Sequence, residues 1–306
     1  MHPQELKEAF ARGENISQLM RKLNDSKVNT EEIITTAYDF QAGSYIDALQ
    51  DTEYFEYKIR YGQAIASEIR QWVPEGGSVL EPGIGEGTTM SFVMQTDERA
   101  GNQFEHKHGF DISWSRIARC RQWLDSQSID QVFVSVASIF DTPYVDDSFD
   151  AVYTAHTIEP NGGFESEILQ ELYRITSRYL ILVEPAYELG TDEARERMER
   201  LGYVRGLPQT AESLGMTVRK HELLSAQGNP LNPTAITVIE KRAQADAVAP
   251  TIACPRYRDA LADFGDAWFS SGSLRAYPVI SGIPCFRKSD GVIASQFEAM
   301  RSESEI

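Results

Sequence analysis

The chain has 306 residues, 42% of them apolar and 25% charged, so it can form a sizeable core and is too hydrophobic for disorder. Its 29 basic and 46 acidic residues give a net charge of −17, which repels nucleic-acid phosphates and anionic membrane surfaces. We therefore expect neither nucleic acid nor membrane as a partner. Three scattered cysteines, the lack of an apolar run of about 20 residues and a polar amino-terminus favour a cytoplasmic protein.

The first 72 residues are expected to be largely helical. Apolar side chains recur at intervals of three and four over 3–23, with a break near Gly13, and again over 31–72, with a break at 42–44. This spacing predicts two short amphipathic helices followed by a longer helical region.

Residues 73–242 change in character, because short apolar runs now alternate with helical patterns as they do in successive βα units. Such an order predicts an α/β domain with a parallel sheet, whose ligand lies at the carboxyl ends of the strands. The last two strands are joined by a short loop and should pair antiparallel. The predicted strands are 78–81, 107–111, 131–136, 149–154, 179–184, 218–224 and 235–241, and the predicted helices are 88–95, 115–126, 165–176, 191–201 and 210–214.

A glycine-rich turn at 83–87 carries the first functional signal. Gly83, Gly85 and Gly87 alternate after the acid Glu81, whereas a dinucleotide loop needs G-x-G-x-x-G and has its third glycine where Thr88 stands. An acid at the start of the turn disfavours a pyrophosphate but suits a cationic amino group. The turn therefore favours a positively charged nucleoside ligand.

Further ligand contacts are expected where the next strands end. Asp111 ends the second strand and suits both hydroxyls of a ribose. Ile112 and Ile139 could cover the two faces of a purine, and Ser138 could meet the edge of the base.

At this point the chain resembles the class I S-adenosylmethionine-dependent methyltransferases, particularly the small-molecule type of ubiquinone and menaquinone biosynthesis. The resemblance covers about residues 30–242 and rests on the glycine turn at 79–87, on Asp111 and on the run 142–150. It implies S-adenosylmethionine as cofactor, with S-adenosylhomocysteine (SAH) as product. It also implies a Rossmann-like, seven-stranded, mostly parallel sheet with an antiparallel last hairpin, under an N-terminal helical lid. Ser138 departs from the family, which commonly has an acid at this position.

The resemblance extends to the lid and to the acceptor side of the site. Residues 37–45 resemble a lid element in which a tyrosine covers the methionine portion, so Tyr38 and Tyr45 are candidate contacts, and Arg60 could reach the ligand carboxylate. His156 and Glu159 follow the fourth strand, where either could act as a general base.

A small-residue linker at 243–250 separates a C-terminal segment, so the third unit is 243–306. Its runs 253–257 and 274–284 resemble the zinc-ribbon proteins that activate methyltransferases. Tyr257 replaces the second expected cysteine and serines stand at 270–271, so we expect no zinc and no other metal. The segment should pack on the catalytic domain or mediate self-association, which makes a homodimer through the N- or C-terminal region the expected assembly.

These patterns predict a methyltransferase that acts on an O, N or C nucleophile of a small metabolite by in-line displacement. An NAD-dependent oxidoreductase is the alternative from another class. A third is a scaffold that binds S-adenosylmethionine without catalysis.

Overall fold

The structure is a computed structural model that describes residues 2–73, 76–101, 103–241 and 249–304. Its N-terminal part is helical, and the break expected at 42–44 separates a third from a fourth helix. Side chains of the first three helices form a small core of their own. The helices are α1 (Pro3–Ala11), α2 (Ile16–Leu23), α3 (Glu31–Phe40), α4 (Ser44–Ala48) and α5 (Thr52–Trp72).

A seven-stranded sheet follows, which confirms the predicted fold class. The strand order is β3-β2-β1-β4-β5-β7-β6, and β7 alone runs in the direction opposite to the other six strands. All seven expected strands are present, with boundaries shifted by three residues at most. They are β1 (Ser78–Pro82), β2 (His106–Asp111), β3 (Val132–Val136), β4 (Phe149–Ala155), β5 (Thr176–Pro185), β6 (Thr217–Leu223) and β7 (Thr234–Glu240).

Helices cover both faces of the sheet because successive side chains of each strand point to opposite sides. Val79 packs in the core beneath α5 and two crossing helices, whereas Leu80 packs in the opposite core. The expected helix 165–176 is one residue shorter, because Thr176 already begins β5. The crossing helices are α6 (Thr88–Arg99), α7 (Trp114–Ser126), α8 (Glu165–Ile175), α9 (Asp192–Leu201) and α10 (Leu207–Ser213).

The C-terminal segment packs against the edge strand β3. The backbone N–H of Phe286 donates to the carbonyl oxygen of Val136 at 2.7 Å, and the Phe286 ring lies in the same core as Leu80. The expected linker lies largely in 242–248, outside the described residues. The elements are β8 (Ala262–Asp263), β9 (Ala267–Ser270), β10 (Arg275–Ile280), β11 (Ile283–Pro284), β12 (Val292–Ile293) and α11 (Phe297–Ser304).

Within the described ranges, no helix combines the length and the apolar character needed to cross a membrane.

Candidate functional site

A cavity of about 310 Å³ lies between the carboxyl ends of β1–β4 and the lid helices α3–α5. This is the edge at which a parallel sheet binds its ligands. Of the thirteen site residues expected from the sequence, all except Gly87 and Arg60 line this cavity. The eleven are Glu81, Gly83, Gly85, Asp111, Ile112, Ser138, Ile139, Tyr38, Tyr45, His156 and Glu159.

The glycine turn has the backbone conformation that its sequence predicts. Gly83 and Gly85 have φ angles of +63° and +56°, in the left-handed region that favours glycine. Gly87, at φ +76°, precedes α6, and a Cβ there would lie 2.8 Å from the Sγ of Cys120. Gly87 therefore allows α6 to pack on α7 and does not itself line the cavity.

Asp111 lies beside this turn at the end of β2. Its carboxylate accepts hydrogen bonds from the backbone N–H groups of Gly85 at 3.1 Å and Ser113 at 2.9 Å. Burial raises the pKa of Asp111, although the nearby Arg116 guanidinium and these two bonds act in the opposite direction. The Oγ of Ser138, across the cavity, accepts a hydrogen bond from the backbone N–H of Phe140.

Glu86, which the sequence analysis missed, joins the glycine turn to the lid. Its carboxylate accepts hydrogen bonds from the backbone N–H groups of Gly43 at 3.0 Å, Tyr45 at 3.4 Å and Ile46 at 2.9 Å. The side chain is buried, so the bonds are shielded from water. Nothing in the sequence shows that this acid faces α4.

Arg116 was also missed and lies between the two expected lid tyrosines. Its guanidinium carbon is 5.0 Å from the ring centre of Tyr38 and 4.6 Å from that of Tyr45. The guanidinium also lies 4.0 Å from carboxylate oxygens of Glu86 and Asp111. Arg116 therefore connects these two lid tyrosines to the acids beside the glycine turn.

On the other side of the turn, Glu81 is buried and accepts a hydrogen bond from the hydroxyl of Tyr153 at 2.5 Å. Burial raises the pKa of Glu81 to about 8, although Tyr153 and Lys58 act to lower it. Lys58, on α5, is buried as well, and burial lowers its pKa to about 8. Both groups are thus close to a change of charge at neutral pH.

The structure does not bring Arg60 to the cavity. Its side chain is 59% exposed and lies 4.0 Å from Glu56 on the outer face of α5. Lys58, two residues earlier, faces the cavity instead. Residues two apart on a helix are separated by about 200°, so only one of the two can face inward.

His156 and Glu159 form a hydrogen-bonded pair on the lid side of β4, with Nδ1 2.5 Å from Oε2. The other ring nitrogen of His156 lies 2.8 Å from the hydroxyl of Thr234, and Asn232 donates to Glu159 at 3.1 Å. Burial alone would lower the pKa of His156, but the Glu159 carboxylate outweighs it and raises the pKa. Burial alone would raise the pKa of Glu159, but the neighbouring His156 outweighs it and lowers the pKa.

Three polar atoms in the cavity wall have no hydrogen-bond partner among the described residues. They are the Tyr61 hydroxyl, Nε of Arg116 and Oδ1 of Asn232. Buried polar groups are normally paired, so a wall with three such atoms fits a site that a polar ligand completes. Together with the two buried acids of the cavity, Asp111 and Glu81, these residues fit a polar ligand such as an adenosine that carries an amino-acid arm.

Comparison with known proteins agrees with this geometry. Residues 74–212 match the family described as "Methyltransferase domain". The chain matches no curated protein. Magnesium protoporphyrin IX methyltransferase from Synechocystis PCC 6803, solved with bound SAH, is similar with a TM-score of 0.50 and 14% identity over 69% of this chain and 100% of that chain.

A second solved structure is the complex between the Haloferax volcanii Trm112 methyltransferase activator and its methyltransferase. It is similar with a TM-score of 0.50 and 16% identity, covering 67% of this chain and 97% of the matched chain. At such identities both likenesses concern the fold. The family match shows a methyltransferase domain over residues 74–212, and the two solved methyltransferases share its fold.

Proposed function

We propose that this protein transfers a methyl group from S-adenosylmethionine to an O, N or C nucleophile of a small metabolite. The observation that carries the proposal is a cavity of about 310 Å³ that has the glycine turn and Asp111 on one wall and the lid on the other. Such a volume lies at the lower end of the range for small-molecule sites. A large acceptor would have to displace the lid.

The cofactor would be held by residues that surround this cavity. Asp111 would take the ribose hydroxyls, Ile112 and Ile139 the faces of the purine, and Ser138 the edge of the base. Glu81 would meet the amino group, and Tyr38 and Tyr45 would cover the methionine portion. Bound there, S-adenosylmethionine supplies a methyl group on a sulfonium sulfur, ready for in-line displacement.

His156 and Glu159 would contact the acceptor. Both nitrogens of the imidazole are engaged, and the pKa shifts of the two groups favour an imidazolium paired with a carboxylate. An imidazolium cannot take up a proton, so this arrangement favours holding the acceptor over proton abstraction. The residues of the cavity would then align the acceptor and exclude water.

Calorimetric titration tests the cofactor assignment. Wild-type protein should bind S-adenosylmethionine and SAH but not NAD. The variants Gly85→Arg and Asp111→Ala should bind both nucleosides at least tenfold more weakly. Gly85→Arg places a bulky side chain at a positive φ in the cavity wall, and Asp111→Ala removes a charge-assisted hydrogen bond. Binding of NAD alone would refute the proposal.

Incubation with a metabolite extract and methyl-labelled cofactor tests the transfer itself. A labelled small molecule should accumulate together with SAH. If the protein binds the cofactor and labels nothing, the scaffold alternative holds. Cytoplasmic location and self-association stay predictions from the sequence, and light scattering of the purified chain checks the second.

A further inference from the structure

A short turn after β3 forms part of the cavity wall, which residues 137–140 line. Two hydrogen bonds close the turn. The backbone N–H of Phe140 donates to the Oγ of Ser138 at 3.2 Å, and that of Asp141 donates to the carbonyl oxygen of Ser138 at 3.4 Å. Ser138 and Ile139 are the residues of this turn proposed above to meet the adenine. The position of the turn would therefore decide how well the base fits.

The C-terminal segment holds the strand from which this turn begins. β3 is an edge strand and pairs with β2 on one side only. On its outer side, Cys285 forms a parallel bridge with Val136, and the backbone N–H of Phe286 donates to the Val136 carbonyl oxygen at 2.7 Å. The Phe286 ring is fully buried in the same core against which Ile139 and Phe140 pack. The open edge of β3 is thus covered by the chain itself.

The same segment also holds the far end of the turn. Lys288 forms an ion pair with Asp141. The guanidinium of Arg258 donates to the carbonyl oxygen of Thr142 at 2.9 Å and to the buried carboxylate of Glu171 at 3.1 Å. This carboxylate in turn accepts a hydrogen bond from the backbone N–H of Thr142 at 2.7 Å. Contacts with the C-terminal segment therefore lie on both sides of the turn.

These contacts act from outside the cavity. No residue in the described part of the C-terminal segment, 249–304, lines the cavity. A turn that is fixed at both ends has its binding conformation before the ligand arrives, so the ligand loses less free energy in ordering it. Docking of the segment and binding of a ligand against the turn then favour each other, because both stabilise the same conformation.

We propose that the C-terminal segment positions the turn 138–141 for the adenine of the cofactor, with Lys288 as a positioning residue, so that docking of the segment and cofactor binding are coupled. This inference rests on the proposed function, since it takes the cofactor as the occupant. It gives the segment a part in cofactor binding without any contact with the cofactor.

Hydrogen exchange in the unaltered chain tests the coupling. Exchange is measured by mass spectrometry with and without saturating SAH. It should slow over residues 137–141, which line or adjoin the cavity, and also over 283–288, which do not line it, because coupling between two sites is reciprocal. Residues 217–221 lie in β6 at the opposite edge of the sheet and provide the control. Their exchange should be the same with and without SAH.

Variants of the ion pair test the role of Lys288. Calorimetry measures the affinity for SAH of Lys288→Met, of Asp141→Asn and of the double variant, and urea unfolding without ligand checks each fold. Lys288→Met should bind SAH about two- to fivefold more weakly, the range of a partly exposed ion pair. It should add almost nothing in the Asp141→Asn background, because the pair is already broken there.

Two further variants separate positioning from a general effect on the fold. Lys288→Arg keeps the charge and should retain the affinity of wild type. Arg301→Met removes a cation whose ion pair with Asp266 lies within the C-terminal segment, and it should leave the affinity for SAH unchanged.

Exchange over residues 283–288 that SAH does not slow would overturn the inference, since the segment would then pack on β3 without any coupling to the site. An unchanged affinity in Lys288→Met, or strictly additive effects of Lys288→Met and Asp141→Asn, would overturn the role of Lys288. Failure of wild type to bind either SAH or S-adenosylmethionine would instead refute the proposed function, so the two failures are distinguishable.

Discussion

The carboxylate of Glu86 accepts a hydrogen bond from the backbone N–H of Ile46 at 2.9 Å, and this bond fastens α4 of the lid to the glycine turn. In Glu86→Gln an amide NH2 group replaces one carboxylate oxygen. This group cannot accept a hydrogen bond from the backbone N–H that it faces, so at least one bond is lost. We expect faster hydrogen exchange over residues 41–50 and about tenfold weaker cofactor binding, the effect of losing one hydrogen bond to a charged group. Exchange measured by mass spectrometry and calorimetry checks both.

Glu56→Gln provides the control, because Glu56 is exposed on α5 and the substitution makes the same change in charge. It should alter neither exchange over residues 41–50 nor affinity. Slow exchange at residues 41–50 in Glu86→Gln would show that other contacts hold the lid.

A glycine can be needed because its φ is positive or because a Cβ would clash, and Gly87 and Gly101 distinguish these two reasons. Both have a positive φ, but a Cβ at Gly87 would lie 2.8 Å from Cys120 Sγ, whereas a Cβ at Gly101 would have nothing within 4 Å. We expect Gly87→Ala to lower the free energy of unfolding by about 2–4 kcal/mol, since backbone strain and overpacking add. Gly101→Ala should cost only about 1 kcal/mol. Urea unfolding measures both.

A double variant shows whether the contact with Cys120 is responsible. Cys120→Ala removes the sulfur that the new methyl group would meet, so Gly87→Ala should cost less in that background. Strictly additive effects would mean that backbone strain alone accounts for the loss at Gly87.

The glycine turn and Asp111 could be predicted from the sequence because their chemistry is local. A positive φ favours glycine, and an acid that ends a strand next to such a turn must lie beside it in a parallel sheet. For the same reason the sheet itself was predictable. Most of the strands contain a short apolar run, and the short loop between the last two predicts their antiparallel pairing.

Whether Lys58 or Arg60 faces the cavity depends on which side of α5 is buried. The buried positions of this helix are 58, 61, 62, 65, 66 and 69, which form one stripe at intervals of three and four. Lys58 belongs to this stripe and Arg60 does not, so the signal was present, although a lysine is an unusual member of a buried stripe. The contacts of Glu86 and Arg116 had no such signal, because they join segments about 40 to 80 residues apart in the sequence.

The pair of His156 and Glu159 should give stability that depends on pH. The pKa of His156 is raised, so its contribution is complete below the unfolded pKa of about 6.5 and is lost as pH rises through the folded value. In His156→Asn, which tolerates the observed φ of +56°, the loss of unfolding free energy should be greater at pH 6 than at pH 9.

His221 offers a control of opposite sign. Burial lowers its pKa, so the neutral form is favoured in the folded state, and its contribution to stability grows as pH rises towards 6.5. The loss of stability in His221→Asn should therefore increase with pH below about 6.5, whereas that in His156→Asn should decrease with pH above about 6.5. Equal slopes in urea unfolding at a series of pH values would contradict the ion pair.

Asp97 should weaken the fold at neutral pH. Neither of its buried carboxylate oxygens has a hydrogen-bond partner among the described residues, and Arg70 Nε lies 3.5 Å away. Burial raises the pKa of Asp97 to about 6, so its ionisation lowers stability as pH rises from about 3.9, its unfolded value, through 6. Asp97→Asn should raise the free energy of unfolding by about 1–3 kcal/mol at pH 7.5 and by less at pH 4. Asp125→Asn makes the same change in charge at an exposed site and should show no such dependence on pH. If Asp97→Asn were destabilised equally at both pH values, Arg70 would need the carboxylate.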